Sequence, residues 1–254
     1  MRANRVKKDL KEGKLVVGAL LPFYSPAAVE ILGYSGSDFV IFDSEHGPLT
    51  LTEIENMVRA ADCTSVVPLV RVESNVESLI LRILDTGVLG VQIPHVCTRM
   101  DAEAGVRAVK YYPLGDRGLA DSVRAAGYTS ISAREYVVQS NDNSLVTVQI
   151  EDIKAIPDLE DILNVEGIDV VFIGRNDLAQ SMGFTGQFGH PKVQEVVDRV
   201  LLMTLGKGLS VGISTNVEDS EKWIKRGAKF ISLSFVPTML RSWRGMFKEI
   251  RSHE

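Results

Sequence analysis

The sequence predicts an α/β protein built as one (β/α)8 TIM barrel, a single domain spanning residues 1–254. Three observations support this prediction. The length is close to that of one such barrel. Short apolar runs occur eight times, with amphipathic segments between them. No linker rich in proline, glycine and serine divides the chain. Eight alternations of strand and helix favour a closed parallel barrel over an open sheet.

The eight apolar runs are rich in valine, isoleucine and leucine and lack polar alternation. Such runs are typical of parallel strands that are buried on both faces. The predicted strands are Leu15–Leu20, Phe39–Phe42, Val66–Val70, Leu89–Ile93, Leu145–Ile150, Val170–Ile173, Leu209–Ile213 and Phe230–Leu233.

The segments between the runs are predicted helices, because they are amphipathic and several follow residues that favour a helix start. They include Leu51–Ala61 after Thr50, Val76–Leu84 after Asn75, Asp101–Lys110 after Thr98, and Val193–Leu205 after Pro191. The interval at about 111–143 holds no clear strand, and we expect a long excursion there with a helix near Ala133–Gln139. Excursions of this length are usually functional or contact a partner subunit.

Composition excludes several classes of protein. The net charge of −5 argues against a broad nucleic-acid surface, which would need clustered lysine and arginine. The cysteines Cys63 and Cys97 lack metal-type spacing and predict a reducing compartment. No run of 18 apolar residues predicts a membrane span, and the basic start lacks the apolar stretch of a signal peptide. We therefore expect a cytoplasmic protein that binds neither nucleic acid nor membrane.

Ionisable side chains follow the second and third predicted strands, at the end of a barrel where catalysis takes place. Asp43, Glu45 and His46 come directly after strand two. An Asp and a His three residues apart could share a metal, a water or a proton. Arg71 ends strand three and could bind a carboxylate through two parallel hydrogen bonds. Taken singly, His46 could be a loop residue and Arg71 the partner of a nearby glutamate.

Two carboxylates follow the fifth and sixth predicted strands. Glu151 and Asp177 should lie at adjacent strand ends, where they would suit a hard divalent ion such as Mg²⁺ or Mn²⁺. Each could instead be an acid in the first turn of a helix, favoured by the helix dipole. Strand six has no lysine for a Schiff base, and the ends of strands seven and eight lack phosphate-binding glycines. His46, Arg71, Glu151 and Asp177 together are more specific than any one of them.

The chain resembles the HpcH/HpaI aldolase/citrate lyase family of class II pyruvate aldolases over nearly its whole length. The resemblance rests on five ordered motifs, which are residues 42–48, Val70-Arg71, residues 112–118, residues 148–151 and residues 173–178. It implies the reversible cleavage of a 4-hydroxy-2-oxoacid to pyruvate and an aldehyde, with a divalent ion (Mg²⁺, Mn²⁺ or Co²⁺) as cofactor. It also implies a homo-oligomer, typically a hexamer.

The resemblance assigns roles to residues of this chain. Glu151 and Asp177 would ligate the metal, which pyruvate would chelate. Arg71 would hold the keto oxygen and stabilise the enolate, and His46 would act through a water as acid and base on the substrate hydroxyl. Asp85 of a neighbouring subunit would orient that histidine. Asp43 and Gln149 would lie behind these groups, around the metal and the substrate.

One position departs from the family pattern. Arg175 stands where the family usually has proline, in the loop Gly174-Arg175-Asn176 whose backbone amides would hold the pyruvate carboxylate. Arg175 could point to solvent or pair with a surface acid. It could instead attract a second substrate carboxylate and favour acidic aldehydes.

Two other functions remain open at this stage. A lyase resembling the citrate lyase β subunit would act on a CoA thioester, although no basic pocket for CoA is visible in the sequence. The second alternative is a barrel without catalytic activity that serves as a binding or assembly protein. The sequence leaves the aldehyde partner and the physiological metal undetermined.

Overall fold

The computed structural model describes residues 2–253 and contains a closed barrel of eight parallel strands, each paired with the next and the last with the first. The strands are β1 (Val16–Leu21), β2 (Phe39–Asp43), β3 (Val67–Arg71), β4 (Gly90–Ile93), β5 (Leu145–Ile150), β6 (Val170–Ile173), β7 (Ser210–Thr215) and β8 (Phe230–Ser234). All eight overlap the predicted strands, so the prediction of a (β/α)8 TIM barrel is confirmed.

The helices are α1 (Arg5–Lys11), α2 (Pro26–Tyr34), α3 (Leu51–Asp62), α4 (Glu77–Asp85), α5 (Arg99–Val109), α6 (Ala133–Asn143), α7 (Leu159–Leu163), α8 (Arg175–Ser181), α9 (Pro191–Gly206), α10 (Val217–Lys225) and α11 (Phe235–Arg251). Helices α2 to α10 connect the strands, whereas α1 precedes the first strand and α11 follows the last. In residues 2–253, no helix is both long enough and apolar enough to cross a membrane.

The helix starts agree with the sequence prediction in two cases and differ in one. Thr50 and Thr98 begin α3 and α5, and each forms a reciprocal capping box with the acid three residues later. In α4, the capping residue is Val76, which makes no side-chain cap hydrogen bond. The expectation that Asn75 caps α4 is therefore wrong. Its side-chain amide donates instead to the Asp101 carbonyl, at 2.8 Å, and so joins the starts of α4 and α5.

Apolar side chains form two main cores and a third, small cluster of Tyr111, Ala125, Ala126 and Tyr136 in the excursion. The larger core lies between the strands and the surrounding helices. The smaller fills the inside of the barrel, where the rings of Phe39 and Phe230 stack with centroids 4.0 Å apart. Val6 and Leu10 of α1 belong to this inner core. Helix α1 therefore packs against the barrel interior, whereas polar residues occupy the carboxyl ends of the strands.

Two lysines are buried near α1 and share one acceptor. Lys7 Nζ donates to the Ser144 carbonyl and to Asp169 Oδ2, both at 2.8 Å. Lys110 Nζ donates to the same Ser144 carbonyl at 2.8 Å and to the Asn141 carbonyl at 2.7 Å. Burial lowers the pKa of Lys110 to about 7, and the nearby charge of Lys7 acts in the same direction. The folded protein therefore opposes the charging of Lys110.

The excursion between α5 and β5 is held by a buried arginine. In the structure this interval contains no strand, and its helix α6 extends four residues beyond the predicted end. Arg117 Nη2 donates to Asp85 Oδ1 at 2.8 Å and to the Tyr136 hydroxyl at 3.2 Å, and Nη1 donates to Ser140 Oγ at 3.2 Å. Its guanidinium lies 4.7 Å from the centre of the Tyr111 ring. The excursion is thus tied to the end of α4.

Helix α11 has one apolar stripe and buries none of its residues. The exposed large apolar residues on it recur at helical spacing and are Val236, Met239, Leu240, Trp243, Met246, Phe247 and Ile250. An apolar stripe of this kind normally packs against another surface. The described part of this chain does not cover it.

Candidate active site

A cavity of about 530 Å³ opens at the carboxyl ends of the strands. The sequence-predicted residues that line it are His46, Arg71, Gln149, Gly174, Arg175, Asn176 and Asp177. The cavity therefore collects residues from β2, β3, β5 and β6 at the end of the barrel where the sequence analysis placed the chemistry.

Arg71 and Asp43 form a buried ion pair in the wall of the cavity. They face each other in the register of β2 and β3. Arg71 Nε donates to Asp43 Oδ1 at 2.9 Å, and Nη2 donates to Oδ2 at 2.6 Å. Burial alone would lower the pKa of Arg71, but its hydrogen bonds to Asp43 and the charges of Asp43, Glu45 and Glu151 raise it. Arg71 therefore stays charged in a fixed orientation.

Asp43 also fixes the turn that follows β2. Its Oδ1 accepts the backbone N–H of Glu45 at 3.2 Å and that of His46 at 3.3 Å. The His46 side chain is 65% exposed, and its Nε2 lies 4.0 Å from Glu45 Oε2. His46 thus stands at the rim of the cavity with its backbone anchored and its ring accessible.

Glu151 is held by a chain of hydrogen bonds that joins β4 to the end of β5. Gln92 Nε2 donates to Gln149 Oε1, and Gln149 Nε2 donates to Glu151 Oε2. Glu151 Oε1 accepts the backbone N–H of His95 at 2.8 Å. Burial raises the pKa of Glu151 and the charge of Glu45 adds to this effect, while His95 opposes it. The carboxylate is therefore rigidly placed in a site that favours a nearby cation.

The structure adds His95 to the residues selected from sequence. His95 Nε2 lies 3.1 Å from Glu45 Oε1, and its Nδ1 lies 3.3 Å from Glu151 Oε1. Ligand atoms of Glu45, His95 and Glu151 all lie within 4.8 Å of one another. The signal that could have found His95 is its position two residues after β4, the same strand-end rule that selected Arg71 and Glu151.

Asp177 lies in the first turn of α8 and lines the cavity. It is not a member of the Glu45–His95–Glu151 group. Glu151 is not among the residues that line this cavity, although Gln149, which donates to its carboxylate, is.

Arg175 points neither to solvent nor to a surface acid. Its guanidinium lies 5.0 Å from the Phe188 ring centre and 4.9 Å from that of Trp223. Nη2 donates to the Ser214 carbonyl at 2.6 Å. Burial lowers the pKa of Arg175, and the charge of Asp219 opposes this. Within residues 2–253, no carboxylate lies within 4.0 Å of the guanidinium, so Arg175 is a cation in the cavity wall without an acidic partner.

The backbone of Gly174 limits which amides of this loop can bind a substrate. The Gly174 N–H donates to the Ile150 carbonyl at 3.0 Å and is not free for a substrate. The amides available from this loop are those of Arg175 and Asn176 in the first turn of α8.

Asp85 is the last residue of α4, a helix that returns from the carboxyl to the amino ends of the strands. It is therefore remote from His46 of its own chain.

The donor set fits a divalent ion. Asp43, Glu45 and Glu151 are three buried or nearly buried carboxylates, and Arg71 is the cation placed among them. When all are ionised, two negative charges remain uncompensated, and buried charges without partners are costly. Oxygen donors with one imidazole can hold Mg²⁺, Mn²⁺ or Co²⁺.

Comparison with known proteins gives a consistent result. The chain matches the HpcH/HpaI aldolase/citrate lyase family over residues 17–242. The 2-keto-3-deoxy-L-rhamnonate aldolase of Salmonella gallinarum is 34% identical over 257 aligned positions, which cover 98% of this chain and 95% of that protein. The 5-keto-4-deoxy-D-glucarate aldolase of Salmonella paratyphi C is 32% identical over 231 positions, covering 91% of this chain and 90% of that one.

A solved structure agrees with these relatives. The crystal structure of an HpcH/HpaI aldolase/citrate lyase family protein from Burkholderia cenocepacia superimposes with a TM-score of 0.93 at 31% identity, covering 98% of this chain and 100% of that chain. The match in sequence and the match in fold both extend over almost the entire barrel. The chain belongs to the HpcH/HpaI aldolase/citrate lyase family.

Proposed function

We propose that the protein is a divalent-metal-dependent aldolase that reversibly cleaves a 4-hydroxy-2-oxoacid to pyruvate and an aldehyde. Family membership and the aldolase names of its relatives support the reaction class. The observation that carries the proposal is the cavity in which Arg71, fixed by Asp43, lies beside Glu45 and close to Glu151. Negative charge develops on an enolate during the cleavage, and this cavity offers cationic groups where that charge would form.

The metal would be held by Glu151 and Asp177. Glu151 is locked by hydrogen bonds from Gln149 and His95, and Asp177 stands on the cavity wall at the start of α8. When bound, the ion would act as a Lewis acid that stabilises negative charge on the substrate oxygens. Mg²⁺, Mn²⁺ and Co²⁺ all suit this donor set, and the choice among them is open.

Arg71 would bind the keto oxygen of the substrate. Two of its five N–H groups serve Asp43, which leaves three for other acceptors. Because Asp43 fixes the plane of the guanidinium, the remaining donors point in set directions and need no reorganisation during the reaction. The amides of Arg175 and Asn176 would bind the substrate carboxylate.

His46 would transfer the proton of the substrate hydroxyl, through a water molecule. Its exposed ring at the rim of the cavity can exchange protons with solvent, and Asp43 holds its backbone in place. Replacing His46 with alanine should slow aldol cleavage more than it slows exchange of the pyruvate methyl protons, because only cleavage needs the hydroxyl deprotonated. Equal losses in both assays would assign His46 another role.

Asp85 would orient His46 from a neighbouring subunit, as part of a homo-oligomer that we take to be a hexamer. The separation of the two residues in one chain and the uncovered apolar stripe of α11 both support such an assembly. The test mixes two inactive variants, His46→Ala and Asp85→Ala, after reversible dissociation. Sites that receive one intact copy of each residue should regain activity. Mixtures that stay inactive would show that Asp85 does not act across subunits.

The proposed activity is tested by measuring pyruvate release from a 4-hydroxy-2-oxoacid after chelation, before and after adding Mg²⁺, Mn²⁺ or Co²⁺. We expect activity to vanish on chelation and return with metal. Glu151→Ala and Asp177→Ala should lose both metal binding and turnover. Glu160→Ala, which removes an exposed carboxylate on α7, serves as the control. Normal turnover of either cavity variant in metal-free buffer would refute the metal assignment.

A further inference from the structure

Asp85, the last residue of α4, has one bound and one unbound carboxylate oxygen within residues 2–253. Its Oδ1 accepts a hydrogen bond from Arg117 Nη2 at 2.8 Å. Its Oδ2 accepts none from the part of the chain that the structure describes, and the side chain is 21% exposed. Asp85 therefore presents a free acceptor at the surface while its other oxygen is fixed.

Arg117, the partner of Asp85, is a buried cation. Its side chain is 1% exposed, and Asp85 is the only carboxylate of the described chain within 4.0 Å of its guanidinium. The other groups around it are the hydroxyls of Tyr136 and Ser140, each at 3.2 Å, and the ring of Tyr111. Burial raises the pKa of Tyr111, and although the charge of Arg117 opposes this, the phenol stays neutral. Because a buried charge needs a partner of opposite sign, the positions of Arg117 and Asp85 depend on each other.

The excursion fixes Arg117 through its backbone and its side chain. The Arg117 N–H donates to the carbonyl of Lys110, the residue that caps the end of α5, at 2.9 Å. Tyr136 and Ser140, which accept from the guanidinium, are buried residues of α6. A planar guanidinium that is held from two helices has few orientations left, so the direction of the carboxylate that it binds is set as well.

The free oxygen of Asp85 matters because a histidine that transfers protons needs one orientation and one tautomer. A carboxylate that binds the second ring nitrogen commonly sets both. Asp85 is remote from His46 of its own chain, because α4 ends at the amino ends of the strands. Its oxygen can therefore serve only the His46 of another subunit, and it does so only while the carboxylate keeps a constant direction.

We propose that Arg117 is a positioning residue for aldol cleavage. It binds Asp85 through Oδ1, so that Oδ2 accepts the imidazole N–H of His46 in a neighbouring subunit. The inference rests on the proposed function, in which Asp85 orients that histidine, and adds that the excursion determines the orientation. Loss of Arg117 should then slow the step that needs His46 and spare the step that does not.

Arg124 provides a matched control for a merely structural role. It lies on the same excursion, and its Nη1 donates to the Thr86 carbonyl at 3.2 Å, one residue beyond Asp85. Its Nη2 binds the carboxylate of Asp62. Arg124→Met therefore removes a side chain of the same type that fastens the same helix end, yet it leaves the pair of Arg117 and Asp85 intact.

The first experiment measures two rates in each purified full-length variant. Aldol cleavage is followed by pyruvate release, and exchange of the pyruvate methyl protons with deuterium is followed by NMR. Because positioned acid–base groups contribute roughly 100-fold or more, Arg117→Met should lower cleavage by at least about tenfold and change exchange by less than about twofold. Arg124→Met should leave the ratio of the two rates unchanged. Adding Arg117→Met to Asp85→Ala should slow cleavage no further, because the two residues act as a unit.

Arg117→Lys keeps the test decisive if Arg117→Met does not fold. Lysine retains the buried charge opposite Asp85 but lacks the planar fork that joins Asp85 to Tyr136 and Ser140. This variant should show the same selective loss of cleavage, by at least about threefold, with exchange unchanged.

The second experiment shows which subunit of a site Arg117 serves. Two variants with different affinity tags are co-expressed, and assemblies that carry both tags are purified. With His46→Ala and Arg117→Met, random assembly leaves roughly a quarter of the sites with every group intact, and cleavage should return to about that level. With Asp85→Ala and Arg117→Met no site is intact, because both residues belong to the same side of each site. Cleavage should then stay at the level of the single variants.

The outcomes separate this inference from the proposed function. Equal losses of cleavage and exchange in Arg117→Met would overturn the inference, and so would a selective loss of cleavage in Arg124→Met. It also fails if His46→Ala regains activity with Asp85→Ala but not with Arg117→Met. Each of these results leaves the proposed aldolase standing. If His46→Ala regains activity with neither partner, the inference fails together with the proposed role of Asp85 across subunits.

Discussion

Replacing Gly174 with alanine should damage the metal site through a single methyl group. A Cβ on this residue would lie 2.6 Å from Glu151 Cβ, 2.9 Å from Glu151 Oε2 and 3.1 Å from Gln149 Nε2. Because ordinary contacts begin at 3.4 Å, the two Cβ atoms must separate by about 0.8 Å (3.4 minus 2.6). Metal sites tolerate ligand displacements of only about 0.2 Å. The φ of Gly174 is −82°, so steric contact and not backbone strain carries the effect.

Overpacking of this kind costs roughly 1–3 kcal/mol, which corresponds to a decrease of about 5- to 150-fold in an equilibrium constant. We expect Gly174→Ala to weaken Mn²⁺ binding by a factor in this range and to lower the rate of pyruvate release at limiting metal. The control is Gly189→Ala, where an added Cβ meets nothing within 4 Å. Calorimetry gives the metal affinity, and circular dichroism confirms the fold. Affinity and turnover within twofold of wild type would refute the reasoning.

Three further predictions concern charged groups. Arg71→Lys keeps the charge but loses the planar fork, so kcat should fall by roughly 100-fold or more while the melting temperature changes little; a near-normal kcat would leave Arg71 a structural role only. Burial lowers the pKa of Lys110 from 10.5 to about 7. Between these two pH values, Lys110 is protonated in the unfolded chain and neutral in the folded protein. Stability to urea should therefore rise from pH 7 to pH 9 by up to about 3 kcal/mol relative to Lys110→Met, and a constant difference would contradict this. Arg175→Met should lower kcat/KM for an acidic semialdehyde about tenfold more than for a neutral aldehyde, and an unchanged ratio would exclude Arg175 from selectivity.

Much of the barrel could be predicted because its strands are buried on both faces. Each strand then appears as a continuous apolar run, and the runs around Phe39 and Val170 match the observed strands to within a residue. Helix starts were predictable where a side chain makes the cap, as at Thr50. The prediction was wrong at Asn75, because α4 begins one residue later with Val76 as its N-cap. The Asn75 side chain donates instead to the Asp101 carbonyl, and local sequence does not reveal such a tertiary hydrogen bond.

The candidate site was only partly predictable for a related reason. Strand-end position was enough to select Arg71 and Glu151, which are placed by the sheet itself. His95 follows a short strand, and its contacts depend on a positive φ that no residue pattern announces. The environment of Arg175 depends on rings contributed by Phe188 and Trp223, which are distant in sequence. The positions of side chains at strand ends can thus be predicted from sequence, whereas the contacts of side chains on loops become known only from the structure.

The separation of the inner core from the cavity has a consequence for how this protein can change over evolutionary time. The stacked rings of Phe39 and Phe230 fill the barrel below the site. The hydroxyl-bearing wall of the cavity, from Ser214 to Ser234, lies at the ends of the last two strands. Substitutions in that wall can reshape the space for an aldehyde without opening a void in the core. New substrates are therefore accessible by small steps that the scaffold tolerates, while the groups that handle the shared pyruvate half remain in place.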